Sequence, residues 1–147
     1  HDFALSRSKV FDAMLNEHET KEAIERVIKI TDADYDVLKE MVRYLYCDEA
    51  PQLKEMALDL LTVANKYDIP GLEAECVEHL INNVATESFA EILIVADQLN
   101  IQSLKDAAIN FVISNRKLVF STEGWKRLKA SNMPLAMEVM ENFVLQT

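Results

Sequence analysis

The sequence is poor in the residues that make tight turns. Its 147 residues include only two glycines and three prolines. An all-β fold needs such residues at most of its turns, so this scarcity favours helices joined by short links. Half of the residues are hydrophobic, which is enough to bury one compact core or two small packed subdomains. The composition therefore predicts a mainly α protein.

Basic charge, cysteine and long apolar runs are also scarce. The formal charge is −10, and because phosphate binding needs a cationic surface, neither nucleic acid nor an anionic membrane is expected as a partner. No apolar run approaches the roughly 20 residues that span a bilayer. Two cysteines, Cys47 and Cys76, do not indicate a disulfide framework and fit a reducing compartment inside the cell.

The spacing of apolar residues predicts one strand and a succession of helices. The strand is Arg26–Ile30, which is short and rich in β-branched residues. Its backbone groups need partners outside the segment, and the chain opens on His1 rather than methionine. We therefore expect a piece of a longer protein. The predicted helices cover about 8–16, 34–46, 51–67, 70–82, 87–98, 101–115, a shorter stretch from Gly124, and about 133–145.

An internal repeat relates two parts of the helical region. Residues 59–81 align with residues 91–113 at a constant shift of 32 positions. The matched pairs are Ala64 with Ala96, Ile69 with Ile101, Leu72 with Leu104, Cys76 with Ala108, His79 with Phe111, and Leu80 with Val112. Each copy predicts a helix, a short turn holding a buried isoleucine, and a returning helix. Since one helix pair cannot bury its apolar stripe alone, we expect the two hairpins to pack side by side.

No set of residues has the spacing of a catalytic or metal site. His18 begins a near match to the zinc-protease motif HExxH, but its second histidine is absent. Cys76 and His79 are three residues apart on a predicted helix, and no further pair completes a tetrahedral site. Their repeat partners are apolar, so we expect both on or beside the packed face. The single tryptophan, Trp125, is interpreted as a packing anchor, with an interface role as the alternative. An enzyme is not expected, and no cofactor is implied.

Six segments are similar to those of one known family, the first of them with slightly altered spacing. They are HDFALSRSKVFDAML (1–15), the predicted strand with Thr31-Asp32 after it, EMVRYLY (40–46), ANKYDI with the later Cys76 (64–76), AEILIVAD (90–97) and GWK (124–126). Together they resemble the BTB/POZ family, most closely the MATH-BTB adaptors of the speckle-type POZ kind. The resemblance implies a BTB fold in residues 1–82 without its N-terminal helix and first strands. It implies a 3-box and a shortened BACK-like helical region in residues 83–147.

The resemblance implies a non-enzymatic substrate adaptor of a cullin-3 RING ubiquitin ligase, in the nucleus, the cytoplasm or both. Such adaptors form homodimers or larger homo-oligomers, bind the N-terminal domain of cullin-3, and hold substrate proteins through a MATH domain that this chain lacks. The apolar cullin contact would come from Phe11, Met14 and Leu15. The family's hydrophobic-x-Glu motif matches here at Thr20 and Glu22. Because Thr20 is polar, either the anchor is weaker or Ile24 makes the apolar contact instead.

Two self-association surfaces are expected. One is the N-terminal Asp2 and Phe3, by resemblance to the family's homodimers. The other is the last predicted helix, with Leu135, Met140 and Phe143 as contacts, although these side chains could equally close the last helical hairpin. The alternative function is a BTB self-association module of a scaffold or transcriptional repressor.

Overall fold

The computed structural model describes residues 34–146. Its eight helices in this range are α1 Tyr35–Cys47, α2 Leu53–Lys66, α3 Pro70–Asn82, α4 Phe89–Leu99, α5 Gln102–Ser114, α6 Arg116–Val119, α7 Glu123–Ser131 and α8 Met133–Gln146. Every element in the described range is a helix, which confirms the mainly α class. The predicted helix over 8–16 and the predicted strand Arg26–Ile30 lie outside the described residues.

The helix boundaries follow from local capping chemistry. At the start of α1 the Asp34 carboxylate accepts a hydrogen bond from the Asp36 amide at 2.8 Å. At the start of α7 the Thr122 hydroxyl accepts one from the Trp125 amide, and before α8 the Asn132 side chain accepts one from the Leu135 amide. Side-chain oxygens at these positions satisfy amides that have no partner within the helix. Seven of these helices were predicted, and their predicted starts lie within two residues of the observed ones, as do the six ends that were predicted. No end was predicted for α7, and α6 was not predicted.

Aspartate and asparagine end three helices where glycine is the usual residue. Asp48, Asp68 and Asn100 have φ angles of 56°, 55° and 57°, in the left-handed region that glycine enters most easily. Asparagine and aspartate tolerate this region better than other side chains. This explains how a chain with two glycines forms so many helix ends. The glycines themselves, Gly71 and Gly124, lie in the first turns of α3 and α7.

The repeat is visible in the turns of the two hairpins, α2–α3 and α4–α5. In the first, the Ile69 amide donates to the Ala64 carbonyl at 2.9 Å, and in the second the Ile101 amide donates to the Ala96 carbonyl at the same distance. A second bond, from Asp68 to Asn65 and from Asn100 to Asp97, measures 3.3 Å in both. Both turns are Schellman motifs. The predicted pair of matching hairpins is thus confirmed at the level of backbone hydrogen bonds.

The chain divides into two compact units, one up to His79 and one from Leu80. In the described part of the first unit, α1 packs on α2. The interior side chains that are at most 1% exposed are Leu38, Met41, Leu60, Leu61, Ala64, Ile69, Leu72 and Cys76. One carboxylate, Glu40, is buried among them and accepts a hydrogen bond from the Gln52 amide. Gln52 precedes α2 and makes no side-chain cap of its own, so Glu40 caps α2 from a neighbouring helix.

The second unit is arranged around α4, which packs against α5, α7 and α8. Phe89 in the first turn of α4 is fully buried, and its ring stacks on that of Phe111 with centroids 6.3 Å apart. Gly124 of α7 lies against the start of α4: a Cβ added there would be in ordinary van der Waals contact, 3.4 Å from both the Ala90 Cβ and the Phe89 ring. Trp125 is 5% exposed and lies 4.9 Å from the Phe120 ring. Its predicted role as a packing anchor is confirmed.

Candidate interaction surfaces

The predicted cullin contacts all fall before residue 34. Phe11, Met14, Leu15, Thr20, Glu22 and Ile24 therefore lie outside the described residues, as do Asp2 and Phe3 and the near match to HExxH at His18. Within the described residues, the candidate surfaces lie on the two hairpins and on α8.

Cys76 belongs to the packed face of α3, as its repeat partner Ala108 belongs to the packed face of α5. Both are 0% exposed. Burial first, then the charges of Glu75 and Glu73, raise the pKa of the Cys76 thiol to about 12, because the thiolate would be desolvated and repelled. His79 is half-buried on the same helix. Among residues 34–146 no three His, Cys, Asp or Glu side chains are grouped in a way that could hold a metal ion.

The two cysteines should therefore differ sharply in reactivity. The thiolate is the reactive form, and at pH 8 a thiol of pKa about 12 is ionised to roughly one part in ten thousand. We expect iodoacetamide at pH 8 to alkylate the exposed Cys47 at least about a hundred times faster than Cys76. Peptide mass spectrometry over time measures both rates, and unfolding in urea is the control that should make them converge. Equal rates in the folded protein would contradict the buried position of Cys76.

Equivalent side chains bridge the two helices of each hairpin. In α2–α3 the Asn65 amide group donates to the Glu73 carboxylate at 3.2 Å. In α4–α5 the corresponding positions, 32 residues later, are Asp97 and Lys105, whose charged groups lie 2.9 Å apart. The repeat positions are the same in both hairpins, but the donor belongs to the first helix in α2–α3 and to the second helix in α4–α5. The sequence alignment contained this correspondence, but polar positions were not compared in the prediction.

Lys105 also joins α8 to the hairpin. Its ammonium group lies 2.9 Å from the Glu138 carboxylate of α8 as well as from Asp97, and the side chain is 12% exposed. Hydrogen bonding to Glu138 raises the pKa of Lys105, and Asp97 acts in the same direction against the opposing effect of burial. The ion pair fixes which side of α8 faces the unit, since Glu138 must reach Lys105.

Helix α8 is apolar on two sides. Its inner side consists of Leu135, Ala136 and Val139, which are at most 3% exposed. Phe143 is half-buried, with its ring 6.0 Å from that of Phe120 and 5.5 Å from the Arg116 guanidinium. Of the three predicted self-association residues, Leu135 thus lies in the core, Phe143 packs at its margin, and Met140 is exposed.

The outer side of α8 forms a second apolar stripe. It is called the methionine stripe here and consists of Met133, Met137, Met140 and Val144, which are 51%, 51%, 38% and 68% exposed. Their spacing of four, three and four residues places them on one helix face. A helix that is apolar around most of its surface is typically covered on both sides. The spacing could have been read from the sequence, but without the inner side being known the two stripes could not be told apart.

Comparisons with known proteins agree with the architecture. A family model described as "BTB/POZ domain" matches residues 3–84, and one described as "BPM/SPOP, BACK domain" matches residues 88–140. A curated relative from Caenorhabditis elegans, "Protein maternal effect lethal 26", is 32% identical over 143 residues. That alignment covers 97% of this chain and 36% of the relative, so the chain spans about a third of the relative's length. The matches confirm the family resemblance inferred from the sequence.

None of the helices described for residues 34–146 has the length and apolar composition that a membrane span requires.

Proposed function

Because this chain belongs to the BTB/POZ family and continues into a BACK domain of the BPM/SPOP type, we propose that it is a non-enzymatic substrate adaptor of a cullin-3 RING ubiquitin ligase. The observation that carries the proposal is the succession of these two domains in one chain. The proposed partners are the cullin-3 N-terminal domain, further copies of the chain, and substrate proteins recruited through a MATH domain. The proposed location is the nucleus, the cytoplasm or both.

The cullin contact is proposed for the N-terminal residues that resemble the family's contact surface. Phe11, Met14 and Leu15 would form an apolar shelf, and the loop with Thr20, Glu22 and Ile24 would lie at its rim. Titration calorimetry of the purified protein with the cullin-3 N-terminal domain tests the proposal, with binding expected well below tens of micromolar. The absence of binding at that concentration would lead us to abandon the adaptor function.

The loop assignment has a test of its own. Glu22→Lys is expected to weaken cullin binding at least about tenfold, since it reverses a charge at the rim of the contact. Thr20→Leu is expected to strengthen binding by about 1–2 kcal/mol, because it restores the apolar side chain of the motif. Calorimetry measures both, with Glu55→Lys at an exposed position of α2 as a charge-matched control. If Glu22→Lys bound like the wild type, the loop assignment would fail while the adaptor function stood.

Self-association through α8 is proposed as a second assembly surface beside Asp2 and Phe3. The support comes from the methionine stripe, whose spacing is symmetric about its centre. In an antiparallel pair of α8 helices, Met137 would lie opposite Met140 of the second copy, and Met133 opposite Val144. A surface that matches itself in this way is suited to a two-fold interface.

A scaffold or repressor that uses its BTB domain only for self-association is the alternative function. The methionine stripe is compatible with it, because such a module needs assembly surfaces and no cullin contact. A MATH domain encoded upstream of this segment would favour the adaptor, and zinc fingers encoded downstream would favour the repressor. The calorimetric test with cullin-3 separates the two directly.

A further inference from the structure

A basic segment, residues 116–129, interrupts this acidic chain at α6 and α7. Five of the chain's 15 lysines and arginines, but only one of its 25 acidic residues, lie between positions 116 and 129. That segment has a formal charge of +4 in a chain whose total is −10. All five basic residues, Arg116, Lys117, Lys126, Arg127 and Lys129, are exposed. Such a concentration of one sign attracts a partner of the opposite sign.

A groove between α4 and α7 is lined in part by Arg127 of this segment. Its volume is about 420 Å³, and it is lined by Ala90, Glu91, Ile94, Arg127, Ala130 and Ser131. We call it the α4–α7 groove. This volume is within the range of about 300–1,000 Å³ that is typical of ligand sites. Ala90 and Ala130 are small enough to let a bound backbone come close, and the half-buried Ile94 offers an apolar contact.

The groove carries a positive charge on its α7 wall, from Arg127, and a negative charge on its α4 wall, from Glu91. Arg127 is exposed and forms no ion pair with any residue from 34 to 146, whereas Lys126 in the same helix pairs with Glu123 at 3.4 Å. Glu91 lines the groove from α4. An acidic ligand group is therefore attracted to the α7 wall and repelled from the α4 wall, which sets the direction in which a ligand can lie.

We propose that the α4–α7 groove binds a short acidic segment of a partner protein, with a carboxylate on Arg127 and an apolar side chain against Ile94. A nucleic acid fits less well. Its phosphates would extend past the basic segment, and the rest of the protein, which carries a large negative charge, would repel them. No aromatic residue lines the groove on which a base could stack. The residues that line the groove are not among those proposed for the cullin contact, so this proposal does not depend on the adaptor function.

Fluorescence anisotropy with a labelled peptide of alternating acidic pairs and leucines tests the proposal on the full 147-residue chain. We expect saturable binding that weakens as salt rises, and no binding of the same peptide with glutamine in place of the acidic residues. Arg127→Glu should weaken binding at least about tenfold. Lys54→Glu is the matched control, since it makes the same change in net charge at an exposed position of α2 and should leave binding nearly unchanged.

A variant that is expected to bind the peptide more tightly shows that weaker binding by Arg127→Glu is not simply the result of misfolding. Glu91→Gln should tighten peptide binding by about threefold because it removes the repelling charge, while Glu55→Gln on α2 should have no such effect. The proposal is overturned if Arg127→Glu binds the peptide as the wild type does. It is also overturned if a DNA oligonucleotide of equal charge binds more tightly than the peptide in an Arg127-dependent way. A third contrary result is Arg127-dependent doubling of the mass in light scattering without peptide, which would identify a second copy as the occupant.

Discussion

Replacing Phe89 with alanine is expected to lower the free energy of unfolding of the second unit by about 3–5 kcal/mol. Phe89 is fully buried, stacks on Phe111 and meets α7 at Gly124. The substitution removes the aromatic ring at the point where three helices converge, and the rigid helices around it cannot close the cavity.

Urea denaturation followed by tryptophan fluorescence measures this effect well, because Trp125 is the only tryptophan in the chain and is buried in the same unit. Leu118→Ala is the control, since Leu118 is 62% exposed and its loss should change stability by less than about 0.5 kcal/mol. A loss below about 1 kcal/mol for Phe89→Ala would contradict the central position of this ring.

Introducing glutamate at the centre of the methionine stripe is expected to break up the assemblies proposed to form through α8. In the proposed pair, Met137→Glu would bury an unpaired carboxylate against Met140 of the second copy, at a cost of several kcal/mol. We expect the mass measured by light scattering to fall to no more than that of a dimer, held by the N-terminal surface, at a concentration where the wild type is fully assembled. Because Met137 is 51% exposed in the single chain, the melting temperature of the isolated fold should hardly change.

The control for this experiment adds the same charge elsewhere on the same helix. Leu145 is 85% exposed and, being one residue beyond Val144, points about 100° away from the stripe. Leu145→Glu should therefore leave the mass unchanged. If both variants assemble like the wild type, α8 is not an assembly surface, and self-association would have to depend on the N-terminal residues.

The fold was largely predictable because its determinants are local. The spacing of apolar positions and turn residues such as Asn132 predicted seven helices of the described range, each beginning within two residues of its observed start. The capping hydrogen bonds of Asp34 and Thr122 became visible only in the structure. The short α6 was missed, since four residues are too few to show a helical period. Glu40 was not singled out either. A carboxylate near the middle of a helix suggests a solvent-facing residue, and its burial depends on the Gln52 amide that packs beside it.

The interaction surfaces were less predictable because they depend on contacts between residues that are distant in the sequence. Leu135, Met140 and Phe143 were grouped as one surface because all three are apolar residues of the last helix. They differ in the structure: Leu135 is 3% exposed, Phe143 packs on Phe120, and Met140 belongs to the outer stripe. The α4–α7 groove joins residues more than thirty positions apart, and no periodicity within one helix indicates such a meeting.

The sequence by itself determined the helical class, the two matching hairpins and membership of the BTB/POZ family with its BACK extension. Each of these depends on residues that are neighbours along the chain or on motifs of constant spacing. Only the tertiary structure decided which side of α8 is covered, because both sides are apolar and the choice depends on contacts such as that of Glu138 with Lys105 of α5. It also decided that Arg127 of α7 and Ile94 of α4 line one groove. When two faces of a helix are equally apolar, the face that becomes buried is the one that contacts neighbouring helices. Those neighbours are distant in the sequence.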